Sequence, residues 1–135
     1  MSRLQGWEAR LAAVIEAART KAYAIGEHDC FRLACAAIEA LTGENRWPEF
    51  AGKYASRREA MRLLARYGSN FDAAGDWFFG GTRVPMARAR RGDIAKYLDV
   101  EPHLGIVTGS QVAVLADRGL ISVPLSACEH CWRVG

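Results

Sequence analysis

Apolar residues recur at helical intervals near the start of the chain: Trp7, Leu11, Val14, Ile15 and Ala18 share one face, and Glu8, Arg10, Glu16 and Arg19 take the other. This spacing predicts an amphipathic helix over residues 6–20, packed on the core. Residues 23–29 read as a loop, after which the periodicity returns over 29–41 with Leu33, Ala34, Ala37, Ile38 and Leu41 inward. Asp29 is a good N-cap for this second helix, and Gly43 ends it as a C-cap. An irregular connection over 44–55, with Pro48 and Gly52, leads to Ser56 and Glu59. Their spacing is that of a capping box, which opens a third helix reaching about Tyr67 and stopped by Gly68. Residues 71–79 have room for one or two helical turns, with Gly75, Gly80 and Gly81 opposing anything longer.

Beyond Pro85 the period changes. Residues 94–98, 104–108, 112–116, 120–123 and 131–134 are short β-prone runs separated by turn residues. Gly109 and Ser110 make a two-residue hairpin turn, and Asp117, Arg118 and Gly119 make the next. Helices first and strands second is the segregated order of an α+β domain, here N-terminal helices followed by a small antiparallel sheet of about five strands. No repeat, low-complexity tract or linker interrupts it, so residues 1–135 read as a single domain with one sizeable core.

Charge alters this picture little. A net charge of +3 is too small to argue for nucleic acid as a partner, and the arginines at 57, 58, 62 and 66 on one helix and at 83, 88, 90 and 91 in one loop read as solvated surface. No apolar run approaches the roughly 20 residues needed to cross a bilayer, so membrane insertion is not expected. Glu8, Arg10 and Glu16 interrupt the apolar residues that follow Arg3, which is not a signal-peptide pattern and predicts synthesis in a cytoplasm. The four cysteines are then thiols or metal ligands in preference to disulfides.

One cysteine stands out by position. Cys30 opens the second helix, where the positive end of the macrodipole favours thiolate over thiol, and that is where a nucleophile would be placed. Its partner base must come from elsewhere in the chain, and His103, just before the second predicted strand, is the candidate. Cys30 would attack a peptide carbonyl, His103 would hold it as thiolate and then protonate the leaving amine, and backbone N–H groups at the helix start would receive the oxyanion. His28, two residues earlier, reads as an exposed loop residue or one that serves the turn.

Tyr23, Gly26, Asp29 and Cys30, then Gly92, Asp93 and Ile94, then His103, Leu104, Gly105, Ile106 and Gly109 occur in consistent order over about residues 20–110. In these motifs the chain resembles the papain-like NlpC-type cysteine peptidases. More narrowly, Trp7, the run over 26–43, and the ending that carries Val123, Pro124, Leu125, Trp132, Arg133 and Val134 are similar to a small phage-encoded family of that superfamily. That family is found among siphophage tail genes and related gene-transfer particles. The resemblance implies a papain-like fold and a hydrolase of the phage tail tip that cleaves the peptide part of peptidoglycan during host entry, with no cofactor. It places the protein in the virion, made in the bacterial cytoplasm and acting at the bacterial cell wall beside other tail-tip or hub proteins. Cys30 and His103 would be catalytic, and Tyr23 and Asp29 would bind substrate or support the site.

The chain departs from the pattern at two points. Phe31 stands where a serine usually follows the cysteine, and the strand after His103 lacks an orienting polar residue. With the turn at Gly109 and Ser110, His103 faces Ala116 with Leu115 beside it, and Asp117 points to the other face.

Two other readings compete. One is a catalytically inactive peptidase fold serving as a structural tail-tip or assembly protein. Trp47, Phe50, Trp77, Phe78 and Phe79 are then core, lid or docking patch, with residues 71–85 as the contact segment. The other is a metal or iron–sulfur site built from Cys30, Cys35, Cys128 and Cys131, whose spacings are C-x4-C and C-x2-C.

Overall fold

Helix α1 (Trp7–Ala18) and helix α2 (Cys30–Thr42) form where the apolar spacing puts them and pack on each other in this computed structural model, which describes residues 2–135. The Asp29 side chain accepts the Arg32 N–H at the head of α2, and Gly43, at φ 83, closes it. The capping box opens α3 (Arg57–Leu64), with Ser56 Oγ accepting the Glu59 N–H and the Glu59 carboxylate returning to the Ala55 N–H. This helix ends three residues before the predicted Tyr67, whose N–H goes instead to Leu64 O in a tighter turn. α4 (Phe71–Phe79) is a full helix capped by Asn70. Gly75 does not break it, because the glycine makes room for a neighbour: a Cβ there would lie 2.3 Å from the Trp132 indole.

The six strands are β1 (Arg83–Val84), β2 (Ile94–Asp99), β3 (Glu101–Val107), β4 (Gln111–Ala116), β5 (Gly119–Pro124) and β6 (Cys128–Trp132). They form one antiparallel sheet in the order β1-β6-β2-β3-β4-β5. The protein is thus an α+β domain with one strand more than the sequence predicts. β1 is only two residues long and carries no alternation to read. β6 begins at Cys128 instead of 131, across a register shift in its pairing with β2 between Lys96 and Tyr97. β3 begins at Glu101, so His103 lies inside the strand and pairs with Tyr97. The hairpin register is as predicted, with Gly105 opposite Val114 and Val107 opposite Val112.

Strand alternation divides the core in two. Ile94, Leu104, Ile106 and Trp132 face α1 and α2 and join Leu11, Leu33, Cys35, Ile38 and Leu41. Ala95, Val107, Val112, Val114, Cys128 and Cys131 face the other way, under Val84, Met86 and Leu125. This arrangement overturns the four-cysteine metal site. Cys30 and Cys35 belong to the helix side and Cys128 and Cys131 to the far side, with the sheet between them.

The ends of the chain meet at Asp93, which is fully buried. Its carboxylate accepts the Arg90 N–H at 2.8 Å and lies 3.2 Å from Arg133 Nε and 3.5 Å from Arg3 Nη2. One side chain therefore ties residue 3, the start of β2 and the C-terminal residues together, and two guanidiniums compensate its desolvated charge. Arg83, read as solvated, is also engaged: it makes two hydrogen bonds to Asp76, whose Oδ1 accepts Trp132 Nε1–H at 2.9 Å. Replacing Asp93 by Ala leaves two arginines facing a buried gap, and we expect about 3–5 kcal/mol lower stability in urea unfolding. A loss below about 1 kcal/mol would show that the pair contributes little.

Candidate active site

The site starts from a turn held by one carboxylate. Asp29 is buried; its Oδ1 caps α2 through the Arg32 N–H at 2.9 Å, and its Oδ2 accepts the Gly26 N–H at 2.8 Å and the Tyr54 hydroxyl at 2.6 Å. Gly26 is required twice over: φ is +81, and a Cβ would come within 2.4 Å of Tyr54 O. The 26–30 turn is thus clamped against the 54 segment, and Cys30 leaves it in a fixed direction at the head of α2. Asp29, expected to bind substrate or support the site, is thus committed to the turn and the helix cap. Tyr54 had no signal in the sequence, since it sits in an irregular stretch without periodicity.

Cys30, His103, Tyr23 and Asp29 all line one cleft of about 360 Å³, together with residues of α3 and α4. The two members of the predicted pair therefore border one cleft, reached from different faces of the sheet. Leu104 and Ile106 face the helices, so His103 leaves β3 on the other side, beside its register partner Tyr97, with ring centroids 6.4 Å apart. It borders the cleft because β3 pairs with β4 only over 105–107, which leaves the start of β3 as a free edge. Cys30 arrives at the same edge from the helix layer, and the Leu104 backbone N–H points at its sulfur. Tyr23 is 44% exposed at the mouth, with its N–H on Asp117 O at 3.2 Å. Across the mouth Arg57 pairs with Glu101.

Electrostatics reverse the sequence expectation for the thiol. Cys30 is half-buried as a residue but its sulfur is enclosed, and burial pushes the thiol up from 9.0 to about 11. The N–H groups of Leu104 and of Cys30 itself pull it down, while the carboxylates of Asp29 and Glu101 push it further up. The macrodipole is outweighed, first by desolvation of the enclosed sulfur and then by the charge of the N-cap carboxylate beside it. Cys30 rests as a thiol. Burial likewise raises the Tyr23 hydroxyl, with Cys30 and Asp29 adding to it.

The remaining candidates fall outside the cleft or into its walls. His28 is half-buried, and its backbone closes the turn with Ala24. Its Nε2 is enclosed without a partner, and burial followed by the nearby Lys21 and Arg32 lowers its pKa. Phe31 stacks edge-on against Phe50 and Phe78 at 4.9 and 5.0 Å, so those aromatics are core. Trp77, 53% exposed over Tyr67, is the part of the expected docking patch that solvent reaches. A different polar group lies under α4, where ligand atoms of Asp72, Glu129 and His130 approach within 4.8 Å of one another. The Lys96 ammonium sits 3.0 Å from both carboxylates and supplies the positive charge there.

A family model described as a domain of unknown function (DUF6950) matches residues 2–134. The chain belongs to that family. No curated protein matches it. The match takes in every residue of the cleft, so the clamp at Asp29 and the free edge of β3 both lie within the DUF6950 domain.

Two measurements test this site. Removing the Tyr54 hydroxyl takes a donor from a buried carboxylate, and Tyr54→Phe is expected to cost about 2 kcal/mol in urea unfolding. For the thiol, a folded-state pKa raised above the unfolded one means the protonated form is favoured by folding. The associated stability is present below about pH 9 and lost as pH rises through about 11. Iodoacetamide labelling of Cys30, followed by peptide mass, should therefore keep rising between pH 9 and 11 in the folded protein. A plateau near neutrality would contradict this electrostatic account.

Proposed function

We propose that the domain is a papain-like cysteine hydrolase in which Cys30 attacks an acyl carbon and His103 moves the proton. The observation that carries the reading is the convergence of a helix-start thiol and a strand imidazole on one cleft. Because the thiol rests protonated, His103 acts as general base during attack and not as the partner of a standing ion pair. The Leu104 N–H and the Cys30 N–H, both turned toward the sulfur, are the donors nearest the developing oxyanion. Tyr23 stands at the mouth, where it contacts substrate, and Asp29 holds the turn. The resemblance in motif order supplies the setting: an amide in the peptide part of peptidoglycan, opened at the bacterial cell wall by a protein of the phage tail tip.

A second reading has its own support. Burial, with Asp29 and Glu101 adding to it, pushes the thiol up to about 11, and β4 stops pairing with β3 at Gly105, so β4 offers His103 no paired side chain to orient the ring. Both features suit a peptidase fold retained as a structural subunit of the tail.

Hydrolysis of purified sacculi separates the two. We expect soluble peptide release by the wild-type protein, none by Cys30→Ala, and a loss of about 10²–10⁴-fold for His103→Ala. Equal release by wild type and Cys30→Ala would exclude the enzymatic reading and leave the scaffold.

A further inference from the structure

The cleft beside Cys30 is chemically divided. Its polar groups gather at the thiol end: Tyr23, His103, and the Arg57–Glu101 ion pair, which already neutralise each other. The rest of the wall is mainly apolar, with Phe31, Met61, Leu63, Leu64, Phe71 and Phe78 outweighing Tyr67, Ser69 and Asn70. Asn70 stands at that end, but its Oδ1 is committed to the Ala73 N–H as the cap of α4. A polar backbone lying along this wall would lose water and gain few partners, whereas an aliphatic chain would lose nothing. A third of the lining comes from α3 and α4, which leave this apolar surface open where a closed core would have covered it.

We propose that the cleft receives an extended apolar acyl group, so that the bond opened by Cys30 is the amide or ester of an apolar acid. The inference rests on Cys30 as nucleophile and departs from the peptidoglycan setting on the acyl side, where an apolar chain takes the place of a peptide. As the Cys30 sulfur bonds to the acyl carbon, the carbon–nitrogen bond breaks and the thiol proton passes through His103 to the leaving amine. Water then attacks the thioester carbon, gives its proton to His103, and releases the acid with the thiol restored. The apolar chain stays in the cleft through both steps, and it displaces the water that would otherwise solvate the site.

Esters of p-nitrophenol with acetyl, butyryl and octanoyl groups test this on the full chain, read by p-nitrophenol release and by the mass of the Cys30 adduct. We expect acylation to rise with chain length by at least about tenfold from acetyl to octanoyl. Met61→Glu, at a position 57% exposed on α3 and so tolerant of charge, should lower the octanoyl-to-acetyl ratio by about fivefold or more, and Leu64→Gln should act in the same direction. Adducts on Cys30 at equal rates for all three esters, or fastest with acetyl, overturn the apolar-acyl proposal and leave the nucleophile standing. No adduct with any ester overturns both.

Discussion

The site depends on a single buried carboxylate that works in two opposed directions. Asp29 caps α2, ties down Gly26 and receives the Tyr54 hydroxyl, so three segments of backbone are positioned by its two oxygens. That is why Cys30 leaves the turn in a defined direction. The same charge lies next to the sulfur and raises the thiol, in the sense opposite to the helix end it creates. Position and activation cannot both be maximised by one group at this distance. The protein takes position, and on the proposed hydrolase reading the activation of the thiol falls to a base that acts at the moment of attack.

His103 borders the cleft because of how the sheet is built. β3 pairs with β2 along its whole length but with β4 only over 105–107, and the unpaired start of the strand is where α2 delivers Cys30. Alternation puts His103 on the face away from the helices, and with no β4 residue paired beside it the side chain borders the cleft at the open edge. Asp93 matters to this arrangement at one remove: by joining Arg3, Arg133 and the start of β2, it fixes the strand against which β3 is registered.

Much of this was legible from periodicity and cap chemistry. Trp7 to Ala18, Asp29 with Gly43, and Ser56 with Glu59 each announce a helix end or face through residues that act locally. The β3–β4 register follows from the Gly109 and Ser110 turn and is observed as expected. What escaped reading depends on contacts distant in sequence. Gly75 looks like a helix breaker until Trp132 is placed against it, and β1 has no pattern apart from its pairing with β6. Tyr54 is an unremarked residue of an irregular stretch whose role appears only when its hydroxyl is seen on Asp29. The dipole argument for a thiolate failed for a related reason: it counted the helix and not the desolvation and neighbouring carboxylates that only folding supplies. Cysteine spacing likewise says nothing about which face of a sheet each sulfur occupies.

Phe31, the residue directly after Cys30, ties the head of α2 to its surroundings. It packs edge-on with Phe50 and Phe78, and through them with Tyr67, so the first turn of α2 is built into an aromatic wall that continues along the cleft. A wall of that kind lowers the local dielectric beside the sulfur, and the thiol is raised mainly by burial. The apolar cleft and the neutral thiol are therefore two consequences of one packing arrangement. In such surroundings a neutral thiol costs less to hold than a thiolate. Any thiolate formed there meets backbone N–H groups already turned toward the sulfur.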